Sequence, residues 1–436
     1  MVRTRIFSML AAMIVAAASS LAAHTAPASA AATASADDTA RFLAGMPPSD
    51  GSSLKTYTNE GFWKLHARVF DSTWDGLEKR QLSKIRTLVA KHFNDPKPTL
   101  FYTFSGPDFL YADAFFPTAE TYVMAGLEPP GAIPNLNKFS KKELANALGE
   151  LRGSLSSVLS YSFFRTKSMR IDFGKARMNG TVPVLMAFLA RSGKTVYDVS
   201  LIDLDETGAV HPAEEKIANA KSKGVKIVFS DNTGKKRTLY YFSTDLSNDG
   251  IKTSGFLAFA GKLGSADAFI KSASYLMHED KFSTIREFLL ANSSSILEDD
   301  SGIPIRYFAQ GWRLQPFGRY VGPIPLFRGQ NQPALNRVFS KDRATPIDFG
   351  IGYRWRPMES NLLLAVKDSA ANAPELSPEN AAAEREKNRK SDRSAVEGKR
   401  VKEARADIPK REPRTPRKRK QQAAPVGSQM FLFEQP

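Results

Sequence analysis

The sequence predicts an α/β or α+β fold, a mixed β-sheet flanked by helices, followed by a disordered C-terminal tail. Three observations lead there. Short runs of β-branched and aromatic residues alternate along the chain with segments of helical apolar spacing. Asp231-Asn232-Thr233-Gly234 is a hairpin turn between two β-like runs, so part of the sheet is expected to be antiparallel. From about Lys367 aromatic residues vanish and Ala, Glu, Lys, Arg and Pro take over until Phe431-Leu432-Phe433. Such a composition cannot bury enough apolar area to offset chain entropy.

Taken in order, Arg3 and Arg5 open the chain, Ile6 to Ala23 is almost wholly apolar, and small residues follow at Ala28-Ser29-Ala30. This pattern predicts a signal peptide over residues 1–30, hence a periplasmic or secreted protein. Residues 31–56 read as a flexible N-terminal segment and 57–366 as a globular module of one or two subdomains; 367–436 is the basic tail. Leu77, Leu82, Ile85, Leu88, Val89 and Phe93 fall near helical spacing behind Trp74. Thr99 to Phe104 and Thr121 to Leu127 read as strands around a turn and a short helix. Ser140-Lys141-Lys142-Glu143 is a capping box ahead of the stripe Leu144, Leu148, Leu151, Leu155 and Val158. Strands are expected at Thr195 to Leu204, Val225 to Ser230, Arg237 to Ser243, Ala268 to Leu276 and Ser295 to Asp299, with a helix over Ser283 to Asn292. Gly and Pro crowd Gly311 to Pro333, which predicts ordered loops, and the apolar segment Ile347 to Leu364 closes the core.

Composition narrows the chemistry. The chain has no Cys, which excludes disulfides, thiolate metal sites and a Cys nucleophile. No second run of about 18 apolar residues occurs, so no transmembrane segment is expected. The net charge of +16 is unevenly spread: Ala381 to Pro436 holds 16 Lys and Arg against 8 Asp and Glu, half of the total. For an exported chain an anionic envelope surface or polysaccharide, contacted by the tail, is a better partner than nucleic acid. No cofactor is expected.

Four segments carry candidate chemistry. In the aromatic stretch Phe101 to Pro117, Ser105-Gly106-Pro107-Asp108 stands between a strand and a helix, at the carboxyl end of a sheet where α/β folds bind ligands. Ser105, Gly106, Asp108, Tyr111 and Asp113 are ligand-binding candidates there, and Asp108 is also a candidate acid or base; the alternative is a helix N-cap within a packed core. Lys271-Ser272-Ala273-Ser274-Tyr275-Leu276-Met277-His278 contributes Lys271 as a binding candidate and His278 as a general base. Leu297-Glu298-Asp299-Asp300-Ser301-Gly302-Ile303-Pro304 contributes Asp299 and Asp300, adjacent carboxylates suited to acid and base roles, or otherwise a turn. In Asp203 to Glu214 the spacing of Asp203, Asp205, Thr207 and Glu214 around Gly208 resembles a calcium-binding EF-hand loop, although the entering segment is β-like and Pro212 departs from the pattern.

The Phe101 to Pro117, Lys271 to His278 and Leu297 to Pro304 blocks together resemble a family of exported bacterial proteins of uncharacterised function, over about Tyr57 to Leu364. The resemblance implies that the three blocks belong to one module and lends no reaction. The expected function is a non-catalytic binding or scaffolding role at the envelope through an aromatic and polar cleft near Ser105 to Asp113. The alternative is a metal-independent periplasmic hydrolase using paired carboxylates.

Overall fold

The computed structural model describes residues 34–161, 178–218, 220–308, 310–341 and 344–368. The expected signal peptide and its cleavage site, the tail and its Phe431-Leu432-Phe433 end lie outside the described residues.

The segment expected to be flexible is instead ordered from Ala34 onward. Ser35 caps helix α1 (Ala36–Leu43) in a capping box with Asp38, and Phe42 and Leu43 are fully buried. Short and polar as it looks, α1 is held by tertiary packing and by Asp37, whose Oδ1 accepts from the Val196 N–H at 2.9 Å. α2 (Gly61–Leu77) buries Trp63, His66, Phe70, Trp74 and Leu77, one stripe at helical spacing. A wide π-helical turn over Glu78–Leu82 leads into α3 (Ser83–His92) and turns both Gln81 and Leu82 inward.

Strand β1 (Thr99–Tyr102), helix α4 (Phe109–Phe115) and strand β2 (Thr121–Gly126) follow in the expected order. The Ser140 capping box forms, with Glu143 accepting from the Ser140 N–H at 3.0 Å, and starts α5 (Lys141–Tyr161). Helix α6 (Val182–Arg191) escapes periodicity because every residue from Val182 to Ala190 is buried. The antiparallel wing comprises β3 (Thr195–Leu204), β4 (Val210–Pro212), β5 (Ser222–Ser230) and β6 (Lys236–Ser243). The predicted turn joins β5 to β6, Gly234 taking a φ of +78° where a side chain would be strained.

The chain then runs through α7 (Asn248–Thr253), α8 (Phe256–Gly261), β7 (Ala266–Ile270), α9 (Ser283–Asn292) and β8 (Ser293–Glu298). The strand expected over Ala268 to Leu276 thus stops at Ile270. β9 (Trp312–Gly318) lies where only loops were expected; α10 (Pro333–Lys341) and β10 (Asn361–Lys367) complete the fold. β9 tolerates Pro316 because it is the last strand of the sheet, met on its outer side only by the isolated bridge from Phe317 to Thr345, where Pro316 serves as acceptor.

These strands form one mixed sheet in the order β4-β3-β5-β6-β2-β1-β7-β8-β10-β9. The central five, β6-β2-β1-β7-β8, are parallel and the flanks antiparallel. Alternation along the strands feeds two cores. Leu100, Tyr102, Tyr122, Met124, Phe269 and Leu297 pack with the helices before β3, whereas Phe101, Val123, Ala268, Ile270 and Ile296 pack with α7, α8 and α9.

His66 shows how the first helical layer is tied together. Its Nε2–H donates to the Leu43 carbonyl at 2.8 Å, and its Nδ1 accepts from Arg152 at 3.1 Å, so the buried ring is neutral. Burial holds its pKa down to about 4. The unfolded chain therefore takes up this proton first as pH falls, and the stability present above pH 6.5 is lost progressively down to about 4. Relative to His66→Gln, wild type is expected to lose thermal midpoint as pH falls through that window; parallel pH profiles of the two proteins would contradict this.

Candidate functional site

The order of the central strands reverses at β1: the chain moves outward from β1 to β2 and β6, then returns to the other side of β1 for β7 and β8. Between the carboxyl ends of β1 and β7 lies the switch point at which open α/β sheets accept ligands. The three sequence blocks meet at this edge.

From β1 comes Asp108, the N-cap of α4, whose Oδ1 accepts from the Tyr111 N–H at 3.4 Å. The N-cap reading is therefore right, yet incomplete. Its Oδ2 accepts from the Tyr102 hydroxyl at 2.7 Å and lies 2.9 Å from the Lys271 ammonium, both side chains being almost wholly buried. The Lys271 Nζ also stands 4.3 Å from the centre of the Tyr111 ring. The Tyr111 hydroxyl donates to Gln81, which in turn donates to the Gly350 carbonyl, so the π-helical turn is wired to this cluster. Burial pushes the Asp108 carboxyl up against the pull of Lys271, and it pushes the Tyr102 phenol well above its ordinary value.

From β7 comes a strained loop. Ser272, Ser274 and Tyr275 have φ of +53°, +52° and +56°, as does Phe104 (+58°) at the end of β1. Non-glycine residues seldom adopt this region, and a ring-bearing residue such as Tyr275 does so only when its surroundings hold it. The surroundings are the block after β8. The Asp299 Oδ2 accepts from the Ser272 N–H at 2.9 Å and its Oδ1 from the Ser301 N–H at 3.0 Å. Asp300 accepts from the Tyr275 hydroxyl at 2.6 Å and from the Asn361 amide at 3.2 Å. Burial and then the neighbouring Asp300 raise the pKa of Asp299 to about 6; burial also raises Asp300, and Glu298 well above the carboxylate range. The Tyr353 hydroxyl donates to the Ser272 carbonyl at 2.9 Å and lies 2.9 Å from the Ser274 hydroxyl. A Cβ on Gly352 would collide with Asp299, so a glycine is required for the close approach.

The expected cleft does not lie on the Ser105 to Asp113 segment, which is buried throughout from Ser105 to Ala112. Ser105 bonds to the Gly106 carbonyl and, through its N–H, to the Ala125 carbonyl of β2, and Gly106 packs beside Glu128. Asp113 points away, into a buried pair with Lys194 at 2.8 Å. The residues at the mouth are instead the exposed Ser274 and the partly exposed Ser272, Tyr353 and Phe327, the Ser272 hydroxyl itself being shielded. His278 packs edge-on against Tyr275 at 5.1 Å, its pKa held down to about 4 by burial first and Arg306 next.

The calcium candidate is a β-hairpin turn. Asp205 spends its carboxylate on the Thr207 N–H and hydroxyl, the Ala209 N–H and His211; Asp203 sits within β3, and Glu214 is in a short 3-10 helix. Among the described residues no group of three or more His, Asp or Glu is placed to hold a metal ion. No described helix is long and apolar enough to cross a membrane. A cavity of about 430 Å³ between α1, residues 133–137 and β3 shares no residue with the switch-point cluster.

Sequence reasoning missed Tyr102, Ser272, Ser274, Tyr275, Gly352 and Tyr353 as site residues. The first four lie inside the flagged blocks, but nothing local marks the left-handed backbone that presents the two serines. No protein-family model matches this chain, and neither a curated protein nor a solved structure matches it significantly.

Proposed function

We propose that this is an exported envelope protein, periplasmic or secreted, that binds a saccharide unit of an envelope polymer at the Ser272 to Tyr275 loop without turning it over. The observation that carries this reading is the Ser272 hydroxyl. It is shielded from solvent, has no hydrogen-bond partner, and belongs to a residue held in the left-handed region at the switch point. A shielded polar atom without a partner on strained backbone calls for an explanation, and a hydroxyl-rich ligand supplies one. Ser274 and Tyr353 add hydroxyls beside it, and the Tyr353 and Phe327 rings, 5.4 Å apart, offer faces for a sugar ring.

The carboxylates support binding over hydrolysis. Asp108, Asp299 and Asp300 all accept hydrogen bonds from the fold on both oxygens, which suits posts that brace the loop rather than groups free to shuttle protons. The raised pKa of Asp299 is what favours the alternative, a carboxylate hydrolase, and release of sugar from an envelope polymer by the purified protein would establish it.

Ser272→Ala is expected to keep the thermal midpoint, since the hydroxyl bonds to nothing within the fold, and to lower retention on peptidoglycan, lipopolysaccharide or a glycan array roughly three- to tenfold. Retention equal to wild type on all three would refute the reading.

A further inference from the structure

Two loops beside the site form a second surface of different chemistry. Residues 319–330 expose Val321 (39%) and Leu326 (59%), and residues 353–358 expose Trp355 (40%) and Met358 (75%). The loops are one unit: the Arg354 guanidinium donates to the Gly322 and Pro323 carbonyls at 2.7 and 2.8 Å, and the Tyr353 and Phe327 rings pack together. Arg319, Arg328 and Arg356 are exposed on the same two stretches, and neither stretch contains an Asp or Glu. Glu359 reaches Arg354 at 3.2 Å and Arg356 at 3.7 Å, so Arg319 and Arg328 supply the field of the patch. Arg356 stands over the Trp355 ring at 5.0 Å.

A monomeric surface seldom groups four large apolar side chains without reason. Apolar tips set beside the exposed Arg319 and Arg328 match one kind of partner in charge and in polarity at once. We infer that this patch docks on an anionic lipid bilayer, with Leu326, Trp355 and Met358 entering the headgroup boundary and Arg319 and Arg328 facing lipid phosphates. An acidic polysaccharide would satisfy the arginines but leave Leu326 and Met358 in water, and for that reason the bilayer is preferred. The basic tail is a separate source of attraction, and the experiment must tell the two apart.

The absence of Cys allows a single reporter. The full chain carrying Met358→Cys, labelled with a polarity-sensitive dye, is mixed with vesicles of phosphatidylglycerol and phosphatidylethanolamine, with phosphatidylcholine vesicles and with an acidic polysaccharide. The label should blue-shift with the first and with neither of the others. Arg319→Gln with Arg328→Gln should raise the lipid concentration needed for half-maximal shift roughly fivefold per arginine, and high salt should do the same. Leu326→Asp should weaken the shift at an unchanged thermal midpoint. Three results would overturn the inference: co-sedimentation with anionic vesicles while the label stays unshifted, which assigns binding to another part of the chain; an equal shift with the polysaccharide; or binding unaltered in the arginine and Leu326 variants.

Discussion

Asp108→Asn is expected to destabilise the protein by about 3–5 kcal/mol, although Asn caps a helix about as well as Asp. If Asp108 served α4 alone, the substitution would be close to neutral. The carboxylate, however, lies 2.9 Å from the Lys271 ammonium with both groups buried, and it also takes the Tyr102 hydroxyl. Removing the negative partner leaves the Lys271 ammonium buried without the carboxylate that stood 2.9 Å away. Lys271→Met, which strips the cation from beside a buried carboxylate, should cost a similar amount. The double variant should be less damaged than the sum of the singles, because the two costs share one cause. Denaturant unfolding of the four proteins checks this: an Asp108→Asn loss below about 1 kcal/mol would show that the cap, not the pair, is what Asp108 contributes.

The parts of the fold that could be read in the sequence are those specified by neighbours along the chain. The Ser140 box, the Asp231 turn and the β1-turn-α4-β2 unit each carry their signal within a few residues. What could not be read depends on distant partners. α1 looks too short and polar to be ordered, and becomes so through Phe42, Leu43 and the Asp37 bond to β3. β9 contains Pro316 and ends in Gly318, and is a strand because β10 pairs with it along one side and Phe317 bridges Thr345 on the other. At the site, the Asp108 cap and the three blocks that meet there could be picked out. The pairing of Asp108 with Lys271 was not, since it spans most of the module, nor was the left-handed turn at Ser272, where Lys271-Ser272-Ala273-Ser274-Tyr275 alternates as a strand would.

Asp299 provides the second large effect, read through pH. Burial and the adjacent Asp300 raise its pKa to about 6, above the 3.8 of an ordinary Asp. Between these values the folded protein holds a proton that the unfolded chain has released, so stability from this residue is greatest at low pH and falls as pH rises from about 4 to about 6. The full change is on the order of 3 kcal/mol. His66 and His278, both depressed to about 4, oppose it across the same range, and wild type alone would show only the net slope. Comparison with Asp299→Asn isolates the carboxyl: the variant should be less stable than wild type at pH 4, because one amide oxygen replaces two acceptors for the Ser272 and Ser301 donors, and the gap should narrow or reverse by pH 7. A gap that widens with pH would mean that Asp299 is ionised throughout, braced by those donors. The strained loop would then be anchored by a charged carboxylate rather than by a protonated one.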